Sequence, residues 1–515
     1  MEVRSTTGKG INQTLYGYVP DRGENIIAPT TPDAFEPIGT SAFKGWGLLG
    51  EMYSGGWKKT NTTNNFFSVF ATLAYSFMNR YVVNANIRND ASNRFGQDTN
   101  HRFDPTYSVG FSWRASEEKF IQEHMKWITT LNFRGTFGIQ GNALTRQSPD
   151  LLLVQNPIMS AYNQYYSTIS QIPNSHLSWE RTKTWNFGLD LELFNMFYMN
   201  LEYYTRRSNA VITLDLPYEY GIKDMKRNGG IIHNRGIEYT LSFTPLQKRD
   251  YALSINLNAS KNWNKGGATE IETTHNTYLS GKAGYILKEG YPISGFWSYS
   301  FAGLDANGQP TFNMLDVPED QRDPNIDPTN FLVYSGETEP FFTGGLGFSF
   351  RYKSLTLNSN FALILGNKKR LPSPYGDFGG ARSTMPDPTL NVNRDLLNRW
   401  KAPGDEAHTN IPALPTGVSY LTILPNGENS ETPIQMWEKS DAMVVSGSFF
   451  RCRSMGLTWQ MKREWCDKIF AKNLSLNFSV DNLFVIASKR FNGFDPELNN
   501  SVMPRTFSFG INIGF

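Results

Sequence analysis

The chain has 515 residues, and its 49 Lys and Arg nearly balance its 47 Asp and Glu, for a formal net charge of +2. This balance gives no reason to expect nucleic acid or a strongly acidic partner. Aromatic residues reach 14% although the mean hydropathy is −0.43, and no apolar run approaches the roughly 20 residues of a membrane-spanning helix. The composition therefore argues against a helical membrane protein and against a set of ordinary soluble domains.

The start of the chain, MEVRSTTGKG, has no charged segment followed by an apolar stretch. We therefore expect no signal peptide there. A regular pattern begins only near residue 66. Residues 1–65 are predicted to form a loop region, in which a first strand is an option, and residues 66–515 are predicted to form one continuous β-structure.

Apolar and polar residues alternate along most of residues 66–515, as successive side chains of a strand do. In the last segment, PRTFSFGINIGF, one face holds Phe507, Phe509, Ile511, Ile513 and Phe515. The same alternation occurs in NLSLNFSV (473–480) and YALSINLNAS (251–260), and the apolar register of these segments carries no charged residue. A charge facing lipid costs about 2–4 kcal/mol at mid-membrane. A soluble sandwich with one wet face alternates equally well, so this pattern does not distinguish the two.

The connections distinguish them. Tight polar turns are predicted at residues 78–80, 194–195, 247–250 and 353–354, and long polar loops at 140–180, 210–234, 264–290, 315–337 and 366–445. Loops of this length are rare in compact soluble domains, whereas outer-membrane barrels alternate short periplasmic turns with long outer loops. Aromatic residues near strand ends fit an interfacial girdle: Trp113, Trp127, Trp179, Trp185, Trp459 and Tyr352. The predicted fold is all-β, a transmembrane antiparallel β-barrel with about 14–16 strands in this chain.

Few residues point to chemistry. The six histidines are scattered singly, without metal-site or triad spacing, so no enzyme is expected. Cys452 is predicted to lie toward the outer end of a strand, and Cys466 in the periplasmic turn that follows it. The two thiols would then be too far apart for a disulfide. One acidic loop could bind calcium through hard oxygen ligands, although its prolines favour a plain solvated loop. Its carboxylates are Asp316, Glu319, Asp320, Asp323 and Asp327.

Aromatic residues in the predicted outer loops are candidates for substrate contact, because their rings stack on sugars or peptide side chains and can present a polar tip. They are Trp46, Trp57, Tyr162, Tyr165, Tyr166, Tyr375, Trp400 and Trp437. Packing within the loops, or contact with a partner protein, is an equally good interpretation of each. A short helix is predicted at residues 394–400 (RDLLNRW) in the longest loop.

Several motifs in order along the chain carry a family resemblance. They are NDASNRFG (89–96), GIQGN (138–142), PNSHLSWE (173–180), NRGIE (234–238), NLF (482–484), GFDPE (493–497) and the ending at 504–515. With these motifs the sequence resembles the SusC/RagA-like branch of TonB-dependent outer-membrane transporters of Bacteroidetes-type bacteria. Each motif is weak alone, but their order and spacing make the set specific.

The resemblance implies a barrel of about 22 strands around an N-terminal plug domain, located in the cell outer membrane and energised by TonB. It also implies a SusD-like surface lipoprotein and import of oligosaccharides or peptides. Residues 66–515 would be the C-terminal part of that barrel, without the plug domain, and the strand ending at Phe515 would carry the assembly signal. No cofactor is implied.

Alternatives remain open at this stage. The chain could be a fragment, one half of a split transporter, or a self-closing passive porin in which a strand near residues 66–78 pairs with residues 504–515. A siderophore receptor is disfavoured by the GFDPE motif and the C-terminal ending. A soluble, surface-exposed glycan-binding β protein would need a second sheet to cover the apolar register.

Overall fold

The computed structural model describes most of the chain. The described residues are 1–13, 18–19, 24–25, 57–93, 103–142, 151–155, 166–174, 176–216, 219, 221–222, 224–268, 274–281, 286–313, 317–375, 393–414, 422–428, 431–498 and 501–515. Their main element is one antiparallel sheet of 14 strands that pair in chain order. The predicted all-β barrel fold, with 14–16 strands, is therefore confirmed.

The strands of this sheet are numbered β1 to β14. They are β1 Glu2–Gln13, β2 Trp57–Phe77, β3 Tyr81–Ser92, β4 Phe103–Arg114, β5 Ile128–Asn142, β6 Glu180–Leu193, β7 Phe197–Asp215, β8 Asp224–Gln247, β9 Tyr251–Gly266, β10 Phe342–Tyr352, β11 Leu355–Leu365, β12 Phe449–Gln460, β13 Asn473–Ala487 and β14 Thr506–Gly514.

Short elements occupy the connections. The helices are α1 Lys119–His124, α2 His275–Ser280, α3 Pro433–Glu438 and α4 Arg463–Asp467. Single turns of 3₁₀ helix span Ala115–Glu117, Glu319–Gln321, Pro328–Asn330, Arg394–Asn398, Asp405–Ala407, Asp441–Met443 and Lys489–Phe491. Paired short strands span Tyr18–Val19 and Glu24–Asn25, Leu152–Gln155 and Ser167–Gln171, Gly295–Tyr299 and Leu332–Glu337, Phe301–Leu304 and Pro310–Phe312, and Lys368–Arg370 and Val444–Ser446. None of the helices among the described residues has the length and hydrophobicity to cross a bilayer.

One end of the sheet, here the turn end, carries the short connections. Met78 and Asn79 have φ of 50° and 57°, and Phe194 and Asn195 have φ of 54° and 52°. Two consecutive left-handed residues make the type of hairpin turn whose twist matches the flanking strands. The tight turns predicted at these positions, and at Lys353, are confirmed. The opposite end, here the loop end, carries the long connections.

The two faces of the sheet differ in polarity. The register predicted to be apolar is exposed, as at Val109, Phe187 and Phe509, whose exposed fractions are 50%, 51% and 68%. No second sheet covers it in the part of the chain that the structure describes. The opposite face carries amide, hydroxyl, glycine and charged residues. A large exposed apolar face next to a polar one fits a wall between lipid and an aqueous interior.

Aromatic residues gather at the turn end. Trp113 stacks on Phe133 with ring centroids 5.6 Å apart, and Tyr352 lies 5.4 Å from Tyr251 across two strands. Trp127 and Trp459 also lie at this end, on Phe194 and Trp465 respectively. Trp179 differs from the expectation of a girdle, because it is buried before β6 at the loop end.

Two loop predictions need correction. The stretch 210–234 is mostly strand, because β7 continues to Asp215 and β8 begins at Asp224, paired as Thr213 with Lys226. The stretches 264–290 and 315–337 belong to a single connection, residues 267–341, between β9 and β10. Where both faces of a hairpin contact water, its strands need no alternation of apolar and polar residues. The sequence pattern therefore does not reveal the strands in 210–234.

The sheet has two edges. β1 is mostly polar, with Val3 and Ile11 as its apolar residues, and pairs with β2 from Glu2 opposite Ser68 to Gln13 opposite Trp57. β2 pairs with β1 on one side and with β3 on the other. Among the described residues it therefore does not pair with residues 504–515, as the self-closing arrangement requires. Among the described strands β14 pairs only with β13.

The main buried apolar cores lie in the loops and not between sheets. The described parts of residues 267–341 and 366–448, here called the loop body, share two clusters of buried side chains. One contains Tyr278, Leu279, Ile286, Trp297, Tyr299, Phe331, Leu332, Leu424 and Met436, and the other Tyr375, Leu396, Ile434, Trp437 and Met443. The backbone N–H of Tyr299 donates to the carbonyl of Lys439 (3.3 Å), which joins the two connections directly.

Candidate functional site

A buried arginine fixes the last long connection, residues 488–505, against the loop end of β12. Arg451 Nη2 lies 2.5 Å from Asp495 Oδ2, and its Nε lies 3.0 Å from Glu497 Oε2. Arg453 reaches the other oxygen of Glu497 at 2.7 Å. Asp495 and Glu497 belong to the GFDPE motif, so this motif holds a loop in place through charge-assisted hydrogen bonds, which are shorter and stronger than neutral ones.

Next to this anchor is a cavity of about 590 Å³ between the loop body and residues 488–505. It is lined by Leu371, Pro372, Pro374, Asn393, Arg394, Asp395, Asn398, Asn410, Ile411, Trp437, Asp441, Ala442, Met443, Lys489, Arg490, Phe491, Asn492 and Phe494. Arg394 donates to Asn492 (2.7 Å), and Asn492 donates to Asp395 (2.6 Å), so a polar chain crosses its rim. Aromatic walls with amide and charged groups can hold a sugar or a peptide.

Two predicted substrate-contact residues lie at this cavity: Trp437 lines it, and Tyr375 packs behind Trp437. Tyr375 and Trp437 are 3% and 2% exposed, and their rings meet edge to face at 6.1 Å. The Tyr375 hydroxyl donates to the carbonyl of Pro412 (2.6 Å), and burial raises the pKa of Tyr375 above its usual value. The indole N–H of Trp437 has no hydrogen-bond partner among the described residues. The Tyr375 ring is not accessible to a ligand in this conformation.

Comparison with known proteins decides the family. Residues 4–483 match the family described as "TonB dependent receptor-like, beta-barrel". The chain belongs to this family. Its members are outer-membrane transport proteins and not enzymes.

Individual similar proteins make the family comparison more specific. The chain is 24% identical over 492 residues to TonB-dependent receptor P39 of Formosa agariphila, covering 85% of this chain and 44% of that protein. It is 24% identical over 482 residues to TonB-dependent receptor SusC of Bacteroides thetaiotaomicron, covering 88% and 44%. The RagAB peptide transporter matches in structure with a TM-score of 0.67 at 23% identity, covering 89% of this chain and 48% of that chain, which shows a shared fold. The resemblance to SusC and RagA is confirmed, and the chain spans about half the length of these relatives.

Other family-like motifs of this TonB-dependent receptor barrel meet at the loop end. In GIQGN and SWE, Asn142 donates to Glu180 (3.0 Å), which also accepts from the Val211 N–H (3.0 Å). In PNSHLSWE, Ser178 exchanges two hydrogen bonds with the side chain of Asn228 (2.8 and 2.9 Å). The motifs therefore fix where long loops leave the barrel wall. Sequence reasoning missed the partners on β7, β8 and β12, because no local pattern distinguishes them.

The glycine of the NRGIE motif has a packing role. A β-carbon on Gly236 would overlap the Tyr204 ring, which crosses from β7 to lie over β8. Tyr204 is buried for this reason. Only glycine leaves the required space, because close approach excludes even a methyl group.

The other predicted contact residues whose side chains the structure describes, Trp400 and Tyr166, do not line the cavity. Trp400 is half-buried, and its indole N–H donates to Glu406 (2.9 Å), which lowers the pKa of Glu406. Tyr166 is exposed beside the strand Ser167–Gln171. Trp57 begins β2, but its side chain is outside the described part, as are Trp46, Tyr162 and Tyr165 entirely. Of the predicted contact residues that the structure describes, the site brings together Tyr375 and Trp437, and substrate contact by any residue of the set stays a prediction.

One carboxylate of the acidic loop, Asp327, is held by contacts with other residues. Burial raises the pKa of Asp327, but hydrogen bonds from Lys288 (2.6 Å) and Thr329 bring it below its usual value overall. Asp316 lies outside the described residues. Among the residues that are described, no three His, Cys, Asp or Glu side chains are grouped to hold a metal ion. Cys452 and Cys466 are both free thiols, as predicted.

The two connections that make up the loop body are joined by a buried arginine. Arg370 donates to the carbonyls of Leu279 and Trp297, the latter at 2.5 Å, and to Ser298 Oγ (3.1 Å). Burial lowers the pKa of Arg370 to about 10. Such multiple bonds suit the planar guanidinium, which loses little freedom on forming them. The loop body is thereby a single structural unit at the loop end.

Proposed function

We propose that this chain forms barrel wall and outer loops of a SusC-like outer-membrane importer for oligosaccharides or peptides. The observation that carries the proposal is the cavity between the loop body and residues 488–505, set at the loop end of a sheet with one apolar and one polar face. A cargo bound there would stand at the outer mouth of the barrel. Binding of this kind needs no bond-making chemistry from the chain.

The proposal includes further protein. Among the described strands β14 pairs only with β13, and an open strand edge carries unpaired backbone groups, which cost several kcal/mol each in hydrocarbon. Strands outside this chain would close the barrel, and an associated plug segment would connect it to TonB. The length of the relatives, of which this chain covers 44%, supports that arrangement.

A SusD-like lipoprotein is the proposed surface partner. The hairpin of Leu152–Gln155 and Ser167–Gln171 extends from a long connection at the loop end, with Leu153 58% and Ile169 50% exposed. Clustered exposed apolar residues at such a place favour a protein contact. The similarity to SusC supports the family resemblance that implies this partner.

Uptake by cells tests this function. Cells expressing the transporter with its flanking sequence receive a labelled pool of neutral oligosaccharides or a tryptic peptide pool, with and without TonB. Asn410→Trp, which fills the cavity, should reduce uptake several-fold at equal surface abundance. His408→Trp, an exposed neighbour that does not line the cavity, should leave uptake unchanged. TonB-independent uptake, or none of either pool, would reject the importer.

A further inference from the structure

The connection between β12 and β13, residues 461–472, lies at the turn end and contains α4; it is here called the α4 turn. Trp465 of α4 packs edge to face against Trp459 of β12, with ring centroids 6.0 Å apart. Trp459 is opposite Leu476 of β13, and Leu476 is opposite Ile511, which belongs to the exposed apolar face. Residues opposite each other on paired strands point to the same face. Trp465 therefore lies on the apolar side of the sheet.

The α4 turn is held in place by packing and hydrogen bonds. Cys466 and Ala471 are buried, and the Ala471 N–H donates to the carbonyl of Cys466 (3.1 Å). The Lys472 N–H donates to the carbonyl of Gly514 (2.6 Å), and Arg463 Nη1 donates to the carbonyl of Lys472 (2.9 Å). The side chains that the turn exposes are therefore presented on a built surface.

Three large apolar side chains of the α4 turn are exposed. Trp465, Ile469 and Phe470 have exposed fractions of 49%, 46% and 91%. Phe470 also has a φ of 58°, a left-handed backbone conformation that bulky residues rarely adopt. Such conformations persist where the surrounding structure enforces them, and they cluster at binding sites. Exposure and backbone conformation together indicate a partner for the Phe470 ring.

Basic residues flank these apolar side chains. The turn has four exposed cationic residues, Lys462, Arg463, Lys468 and Lys472, and two exposed carboxylates, Glu464 and Asp467. Arg463 pairs with Asp467 (2.9 Å), and Lys472 Nζ donates to the carbonyl of Phe515 (3.0 Å). Lys462 and Lys468 form no ion pair with the residues that the structure describes. Their amino groups can therefore meet an anionic ligand beside the exposed rings.

The connection between β4 and β5, residues 115–127, offers a comparison at the same end of the sheet. It also exposes aromatic side chains, with Phe120 at 53% and Trp127 at 45%. Carboxylates outnumber lysines in it, because its charged residues are Glu117, Glu118, Lys119, Glu123 and Lys126. Exposed aromatic residues are thus common to both connections, whereas of the two only the α4 turn has a surplus of positive charge.

We propose that the α4 turn is a binding site for the headgroup of an anionic phospholipid. The site goes beyond the import function and rests only on contact of the apolar face with lipid. The rings of Trp465 and Phe470 enter the boundary between headgroups and acyl chains, where aromatic side chains are favoured. Lys462 and Lys468 contact the lipid phosphate, because long basic side chains bury their apolar stems and extend their charge into the polar layer.

Two observations favour this ligand over a protein partner. The exposed rings of the α4 turn continue the apolar face of β12 to β14 through the contact of Trp465 with Trp459. The positive charge lies directly beside the rings, as an amphipathic lipid requires. A zwitterionic headgroup carries its own cation, which the lysines repel, so the site distinguishes lipids by their net charge.

Lipid retention by the complete transporter tests the site. The protein with its flanking sequence is placed in nanodiscs with equal amounts of phosphatidylglycerol and phosphatidylcholine and extracted in neutral detergent, and native mass spectrometry counts the bound lipids. Wild type should retain phosphatidylglycerol in several-fold excess. Lys462→Gln combined with Lys468→Gln should lower that excess several-fold. The matched control, Lys119→Gln combined with Lys126→Gln, changes two exposed lysines of residues 115–127 and should preserve it.

Phe470→Asn tests the ring separately. Asparagine adopts the left-handed conformation more readily than phenylalanine does, so the variant should fold normally, as heat-modifiability on gels reports. Its retention of phosphatidylglycerol should nevertheless fall several-fold, because the ring no longer enters the lipid. A purely structural role of Phe470 would leave lipid retention as in wild type.

Several results would overturn the lipid site. They are equal retention of the two lipids by wild type, equal losses in the two lysine pairs, and unchanged retention in all α4-turn variants, which would leave the surface to a protein partner. Thermal stabilisation by inorganic phosphate as large as that by phosphatidylglycerol would instead show a site for a free anion. Cargo and TonB are not needed for these measurements, so failed uptake would refute the importer without affecting the lipid site.

Discussion

The guanidinium of Arg451 and the carboxylate of Asp495 form an ion pair at 2.5 Å in which both side chains are almost completely buried, at 2% and 4% exposure. The pair joins β12 to residues 488–505 across 44 positions of sequence. Removing one member of a buried pair leaves the other charged without compensation, which costs more than the pair itself contributes.

We expect Arg451→Met to destabilise the folded protein by about 3–5 kcal/mol, and to free residues 488–505 from the barrel wall. Thermal unfolding in detergent measures the change. Arg453→Met is the control, because Arg453 contacts the same Glu497 from an exposed position and such pairs contribute about 0–1 kcal/mol. Equal losses in the two variants would refute the special importance of the buried pair.

Gly236→Ala should displace the Tyr204 ring and destabilise β7 against β8 by about 1–3 kcal/mol, as overpacking does. The yield of folded, heat-modifiable protein is the measurement. Gly510→Ala serves as the control, since a β-carbon there meets nothing closer than Asn477 Cβ at 4.0 Å. Tolerance of alanine at both positions would show that the ring moves at little cost.

Phe509→Arg places a charge on the apolar face of β14 and should cost about 2–4 kcal/mol if that face meets lipid. Ser508→Arg puts the same side chain on the opposite, polar face of β14, where water or polar groups receive it. The fraction of each variant inserted in outer-membrane preparations compares them. Equal tolerance, with protein that stays in solution without detergent, would favour a soluble β protein.

Acid should loosen the loop body through His275. Burial lowers the pKa of His275, and Glu428 at 3.1 Å offsets this only in part, with Glu431 and Lys439 nearby. The His275 imidazole therefore binds a proton more tightly when the loop body is open than when it is closed. The contribution of His275 to the stability of the closed loop body is full above its usual pKa of about 6.5. It falls as the pH decreases from there toward the lowered pKa.

Hydrogen exchange of residues 274–281, corrected for intrinsic rates, should accelerate between pH of about 7.5 and 5.5. His275→Gln should remove most of that acceleration, and the exposed His408→Gln should not alter it. Identical pH profiles for wild type and His275→Gln would assign the effect to other groups.

Deleting Phe515 should reduce the amount of protein assembled in the outer membrane if the terminal strand carries an assembly signal. Phe515 is 77% exposed, and its carbonyl accepts from Lys472 (3.0 Å), so its loss removes little packing. Membrane fractionation gives the measurement, with Phe515→Tyr retaining the aromatic ring as the control. Normal assembly after the deletion would place the signal elsewhere.

Sequence predicts the membrane-facing part of this fold well and the loops poorly. Phe507 to Phe515 could be assigned to faces because lipid on one side and polar groups on the other impose a period of two. β1 and the loop-end part of β8 lack that constraint, so the sequence pattern does not reveal their pairing. Tyr375 and Trp437 look like exposed loop aromatics in sequence, because the core that buries them is built from residues far apart in the chain.

The loop body has a consequence for the order of folding. Phe301 donates its N–H to Asp441, 140 positions later, so the two long connections meet only after the four strands β9 to β12 are aligned. Contacts of such separation close slowly, because the entropy of a long intervening chain must be lost first. We therefore expect the barrel wall to form early with its outer loops still open. Packing of their shared core would then be the late step that completes the loop end of the barrel wall.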